Sequence, residues 1–124
     1  MKKKELNILI NSFTQRKVPL LRLVESSRSR IDKKIKIFLG NNKLYPFFSF
    51  FENSFINLPL CKDHNKKKIL KILKKFKINF VIPTSDAELL FWSKNKIFFE
   101  SNKIMILISN YSSIKVCLDK LKFH

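Results

Sequence analysis

Phe80-Val81-Ile82-Pro83-Thr84-Ser85-Asp86-Ala87-Glu88-Leu89 changes character in its middle. Phe80 to Ile82 is a short apolar run cut by Pro83, as a buried strand would be, because proline cannot donate to a ladder. Thr84, Ser85 and Asp86 then offer the small polar side chains that cap helices. Asp86 and Glu88 put negative charge where a helix dipole favours it. The spacing predicts a helix over 86–99 with Trp92 packed on a sheet. A strand running straight into a helix is the repeating unit of a parallel sheet.

The same alternation extends in both directions. Leu6-Asn7-Ile8-Leu9-Ile10 reads as a first strand, apolar nearly throughout, as a strand buried on both faces should be. A polar loop, Asn11 to Lys17, comes next, and Pro19 sits where the first turn of a helix tolerates it. Val18, Leu21 and Val24 share one face of that helix. Ile35 to Leu39 is a second strand, ended by Gly40-Asn41-Asn42. Leu44 to Phe51 fits a short helix or an irregular packed segment equally, since either suits Phe47, Phe48, Phe50 and Phe51. Phe55 to Leu58 is a short third strand stopped by Pro59. Asn65 to Lys77 is the clearest helix, with Ile69, Ile72, Leu73 and Phe76 at helical spacing and lysines on the remainder. Ile104 to Ile108 is a fifth strand, and Ser112 or Ser113 would cap a last helix through Val116 and Leu121. The expected fold is α/β: one domain over 1–124, a three-layer, open, mostly parallel sheet of about five strands, Rossmann-like.

In 124 residues there is room for one domain. With 45% hydrophobic residues the chain can bury an ordinary core. No apolar run approaches the roughly 18 to 20 residues that span a bilayer, and no membrane partner is expected. Met1-Lys2-Lys3-Lys4 imitates the start of a signal peptide, but Asn7 and Asn11 interrupt the apolar stretch after it and no cleavage site appears. Cys61 and Cys117 lie far apart without a pairing pattern, which points to a reduced, cytoplasmic setting. The net charge of +17 attracts polyanions. The joint excess of Lys, Asn, Ile and Phe, with a single glycine, also matches the bias of an AT-rich coding sequence. Nucleic acid is therefore a less favoured partner, and Lys66, Lys67, Lys68, Lys71, Lys74, Lys75 and Lys77 read as a solvated helix face.

In parallel sheets ligands meet the carboxyl ends of the strands. Four loops lie there: 11–17, 40–42, 59–64 and 83–88. The first carries Ser12, Thr14, Arg16 and Lys17 before a helix N-terminus, suited either to an anion or to a solvated turn. It has no glycine, so the dinucleotide-binding fingerprint is absent. The fourth offers Thr84 and Asp86 to a ligand hydroxyl or amine, or simply as helix caps. Cys61 and His64 are too few for a metal centre, and that loop reads as one buried cysteine with Asp63 or Asn65 as cap. Two histidines do not assemble a catalytic triad, and no catalytic residue is assigned.

Taken together, these segments resemble the N-terminal pre-ATP-grasp domain of the carbamoyl-phosphate-synthase-like ATP-grasp ligases, a group that includes the pyrrolysine-biosynthesis ligase. Asn7-Ile8-Leu9-Ile10, the polar loop and Arg16 look like the family's opening strand and small-Gly-Arg-Arg turn, with Thr14 near the position of the glycine. Leu58-Pro59-Leu60-Cys61-Lys62-Asp63 is similar to its V-P-x-x-x-D segment. Ile82-Pro83-Thr84-Ser85-Asp86-Ala87-Glu88-Leu89 is similar to its P-T-x-D-x-E-L motif, and Cys117-Leu118-Asp119-Lys120 to the x-x-D-K that leads into the ATP-grasp module. Asn41 or Asn42 stands where the family carries an acidic residue after the second strand.

The resemblance implies the substrate-side domain, or a truncated or degenerate relative, of an ATP-dependent carboxylate–amine ligase, inactive alone. Arg16, Thr84, Asp86 and Glu88 would line the substrate cleft, and Lys120 would approach the nucleotide. ATP and magnesium are implied for the full ligase and not for this chain alone. The implied partners are an ATP-grasp module, in cis or in trans, and a small carboxylate or amine substrate. The alternatives are a stand-alone basic module binding nucleic acid or another polyanion, and a structural partner domain.

Overall fold

The computed structural model describes residues 5–27, 34–43 and 45–108. The first four lysine-rich residues, the helix expected after Ser112 or Ser113, the Cys117–Lys120 segment and His124 lie outside them. Five strands form one all-parallel sheet: β1 (Glu5–Asn11), β2 (Lys34–Asn41), β3 (Ser54–Asn57), β4 (Phe80–Pro83) and β5 (Met105–Ile106), in the order β3-β2-β1-β4-β5. The helices are α1 (Val18–Ser27), α2 (Lys66–Lys75), α3 (Asp86–Lys94) and α4 (Lys96–Ser101). This is the doubly wound, Rossmann-like arrangement that the alternation of strands and helices predicts. Among the described residues no helix is long and apolar enough to cross a membrane.

The two faces of the sheet arise from the two-residue period of a strand. Leu6, Ile8 and Ile10 of β1 join Ile35, Ile37 and Leu39 of β2 against Leu20, Leu21 and Val24 of α1. On the opposite face Leu9, Phe38 and Val81 meet Ile69 and Leu73 of α2 and Phe91, Trp92 and Phe99 of α3 and α4. The loop after β1 is less polar in practice than in composition. Phe13 is fully buried among Phe48 and Phe51, and its backbone N–H donates to the Gly40 carbonyl at 2.9 Å. The aromatic stretch before β3 includes a 3-10 helix, Pro46–Phe50.

A helix, a helix cap and a strand depart from the sequence expectation. The helix expected over 86–99 breaks at Asn95, because the buried Asn95 side chain donates to the Phe91 carbonyl at 2.9 Å and to Asp63 Oδ1 at 3.3 Å. An asparagine amide that binds the carbonyl four residues back competes with the helix itself. Neither Asp63 nor Asn65 caps α2 with its side chain. Asp63 instead receives Lys94 at 2.7 Å, which, with Asn95, holds its carboxyl below the usual range, and Asn65 donates to the Leu60 carbonyl. The fifth strand is also shorter than expected, although Leu107 N–H still reaches the Val81 carbonyl at 2.9 Å.

Both α2 and α4 end in the same device. Ile78 N–H bonds Leu73 O at 2.9 Å and Lys77 N–H bonds Lys74 O at 3.1 Å; Ile104 and Lys103 repeat the pattern on Phe99 and Glu100, each at 3.0 Å. These are Schellman ends. The left-handed position is filled by Lys77 (φ 55°) and Lys103 (φ 67°), where glycine is usual. Asn7, on β1, adds a second closure to α2 by donating to the Phe76 and Lys77 carbonyls.

The single glycine of the chain serves another purpose. A Cβ on Gly40 would stand 2.9 Å from both Asn11 Oδ1 and Leu9 Cδ1, two buried side chains with no room to swing away. Gly40→Ala is expected to lower stability by about 1–3 kcal/mol by overpacking, read from chemical denaturation. Leu9→Val should recover part of that loss in the double mutant, as coupled neighbours do.

Candidate functional site at the strand ends

The chain leaves β1 toward β2 on one side and arrives at β4 on the other, so the order of winding reverses between β1 and β4. Ligand crevices of doubly wound sheets open at that switch point, beyond the carboxyl ends of the strands. Asn11 ends β1 and pairs in register with Pro83, the last residue of β4. The turn after β3 returns Cys61 to the same place.

Glu88 is the centre of this rim. Its pattern with Ser85, Ser-x-x-Glu, suits a capping box, yet Ser85 makes no side-chain cap bond and the Glu88 carboxylate crosses to the neighbouring loops. Oε1 accepts from Asn11 Nδ2 at 2.9 Å and from the Cys61 thiol at 3.0 Å, while Oε2 accepts from the Ser12 hydroxyl. Asn11 Nδ2 also approaches Cys61 Sγ at 3.5 Å. Thr84 completes the closure, its hydroxyl lying 2.7 Å from the Asn11 carbonyl and 3.1 Å from that of Ser12. Ser12 holds a left-handed φ of 58°, which turns the chain sharply enough for its hydroxyl to meet Glu88. Asn41 Nδ2 steadies the far side of the loop through the Phe13 carbonyl at 3.0 Å.

This setting disfavours the thiolate of Cys61. Burial first, then the charge of Glu88 and its hydrogen bond, push the thiol well above its ordinary pKa. Asn11 and Trp92 oppose the shift only in part. The Trp92 Nε1–H makes no hydrogen bond of sound geometry among the described residues, but lies near enough to the sulfur to favour the thiolate. Asn11 Oδ1 is likewise buried without a partner among the described residues. Leaving such a group unpaired costs about 1–3 kcal/mol. The Asn11 amide also donates to Glu88, and Trp92 Nε1 lies near the Cys61 sulfur, so both atoms belong to the rim.

No family model and no curated protein matches the chain. Among solved structures it is similar to the UDP-GlcNAc 2-epimerase from Methanocaldococcus jannaschii, with 18% identity over 94% of this chain and a TM-score of 0.44. The chain spans 37% of the length of that protein.

Of the residues singled out in sequence, Glu88 and Thr84 come together at the switch point, both half-buried, with their polar atoms engaged by neighbouring loops. Arg16, in the 3-10 turn Gln15–Lys17, and Asp86, the first residue of α3, are exposed and form no ion pair or side-chain hydrogen bond among the described residues. Lys120 lies outside the described residues. Sequence reasoning misses Asn11, Ser12 and Cys61 as partners of Glu88. The only sequence signal for them is position, each standing at or just beyond the carboxyl end of a strand. His64 is exposed, and among the described residues no three His, Cys, Asp or Glu side chains come together to hold a metal.

The thiol of Cys61 reports on this arrangement. Glu88→Gln removes the negative charge and should lower the thiol pKa toward its usual value. At a fixed pH of about 8.5, close to an unperturbed cysteine, alkylation by iodoacetamide should then run faster than in the parent. Both proteins would carry Cys117→Ser, so that the rate belongs to Cys61 alone. Equal rates would mean that Glu88 does not govern the sulfur.

Proposed function

We propose that this chain is the substrate-side domain of an ATP-dependent carboxylate–amine ligase of the ATP-grasp type, and that it lends a preformed rim to a cleft completed by another module. The observation that carries the reading is the Glu88 carboxylate at the switch point, gathering Asn11, Ser12 and Cys61. Glu88 and Thr84 belong to the segment that resembles the family's P-T-x-D-x-E-L motif. Their bonds tie that segment to the opening loop, which carries Arg16.

The geometry divides the labour. Thr84 and Glu88 are positioning residues, since their polar atoms are occupied in joining three loops. Arg16 and Asp86 are exposed and free to meet a ligand. A guanidinium suits a substrate carboxylate, which it can grip through two parallel bonds. A carboxylate at the start of α3 suits a substrate ammonium. The proposed reaction class transfers a phosphoryl group from ATP to the substrate carboxylate, after which an amine attacks the acyl phosphate and releases inorganic phosphate. This chain's part is to hold the carboxylate and amine in place.

The described residues do not fit the nucleotide or the metal. They bring together no carboxylate cluster for magnesium. The loop after β1 contains no glycine, and the space over Gly40 is filled by Asn11 and Leu9. ATP and magnesium would therefore be held by the ATP-grasp module, in cis or in trans.

The test is ADP release in the presence of a mixture of amino acids, measured for the chain alone, for an ATP-grasp protein of the same source alone, and for the two mixed or joined. ADP release only in the combined sample is the expected result. Arg16→Gln and Asp86→Asn should each raise the KM for the responding substrate about ten- to a hundredfold, the worth of one charge-assisted hydrogen bond. ADP release independent of this chain, or KM values indifferent to both substitutions, would remove the reading.

A further inference from the structure

The opposite edge of the sheet carries a second concave surface, with different chemistry. At the amino ends of β1, β2 and β3, on the α2 face, a groove of about 380 Å³ is walled by Lys34, Lys36, Lys75 and Lys77, with Glu5 the single carboxylate among its lining residues. The lysines arrive from separate elements: two from β2, one from the last turn of α2 and one from the corner just after it. Glu5 reaches Lys34 only at 3.9 Å, with both side chains largely exposed, and leaves Lys36, Lys75 and Lys77 unneutralised. Lys36 Nζ lies 5.0 Å from the centre of the Phe38 ring and Lys75 Nζ 5.7 Å from that of Phe76. The two rings are 5.9 Å apart. Phe76 is half-buried and lines the groove.

The groove also continues outward. Lys67, Lys68, Lys71, Lys74 and Lys75 of α2 are all exposed. At about 100° per residue they fall within roughly 120° of arc, a stripe about 12 Å long that ends at the groove. No Asp or Glu occurs between residues 64 and 85 to pair with them. The pairs Lys67–Lys71 and Lys71–Lys75 repel at the i,i+4 spacing and weaken the helix. A solubilising surface needs no such uniformity of sign, and a bound polyanion would relieve the repulsion.

We propose that the lysine stripe of α2 and the groove at its end form a binding track for single-stranded nucleic acid. The lysines would follow the phosphates, and the exposed part of the Phe76 ring would stack a base. Lysines along a backbone path with an aromatic platform between them are the recurring elements of sequence-tolerant single-strand binding. A duplex keeps its bases stacked on one another and cannot use the ring. This track lies at the sheet edge opposite Glu88 and does not depend on the ligase reading.

The test is a fluorescence-anisotropy titration of a labelled oligouridine of about 12 nucleotides, within the usual single-strand site sizes, repeated over a range of salt. Two variants of equal net charge are compared. One removes the groove cations: Lys36→Gln, Lys75→Gln and Lys77→Asn. The other removes three exposed cations elsewhere: Arg22→Gln, Lys43→Gln and Lys103→Asn. Asparagine is used at 77 and 103 because it tolerates the left-handed backbone there.

Saturable binding is expected, with the slope of log K against log salt reduced by about 2 in the groove variant, from three lost phosphate contacts at about 0.7 each. The slope of the second variant should match the parent, and Phe76→Leu should weaken binding without changing the slope. Circular dichroism spectra matching the parent would show that each variant is folded. Equal losses in the two charge variants, failure to saturate, equal affinity for duplex RNA, or displacement by millimolar phosphate or uridine monophosphate would each overturn the proposal.

Discussion

β1 is the central strand of the sheet and carries apolar side chains on both faces, so neither face can be left to water. That constraint places most of what surrounds it. Leu6, Ile8 and Ile10 require α1; Leu9 requires the layer built from α2, α3 and α4. Because β2 lies to one side of β1 and β4 to the other, the winding must reverse at its edges. The carboxyl end of the same strand is thereby left between two loops that diverge, where a crevice forms without any special sequence.

The polar residues of β1 exploit that position. Asn7 and Asn11 share the face of Leu9, four residues apart, and stand at opposite ends of the strand. Asn7 closes the C-terminal end of α2 at the amino edge, and Asn11 donates to Glu88 at the carboxyl edge. One strand therefore anchors the second layer at both ends through side-chain amides while its middle supplies hydrocarbon. The close fit of Asn11 and Leu9 over Gly40 joins β2 to the same arrangement.

The order of strands and helices is legible in the sequence because it rests on hydrophobic period, which survives a strong compositional bias. Helix ends are less legible. The usual stop signal is glycine in the left-handed position, and here Lys77 and Lys103 occupy it, indistinguishable in sequence from the lysines of the helix surface. The break at Asn95 is hidden for a related reason: it depends on a buried amide finding Phe91 and Asp63, the latter far away in sequence. At the rim, the Pro83–Leu89 segment announces a strand edge and a helix start. It does not reveal that Glu88 turns away from Ser85 toward Ser12 and Cys61. Capping and cross-loop bonding demand the same residue type at the same spacing, and only the fold decides between them.

The two lysine-filled corners differ in what their strain returns. A side chain held in the left-handed region costs about 1–2 kcal/mol relative to the ordinary helical one. At Lys77 the ammonium lines the amino-edge groove, so a polyanion bound there would give the costly position a use. Lys103, also exposed, is not among the residues that wall that groove. The molecule thus holds thermal headroom at the end of α4 that a drift toward glycine or asparagine could release, while the matching corner of α2 would stay as it is. The two residues should age differently across the descendants of this chain.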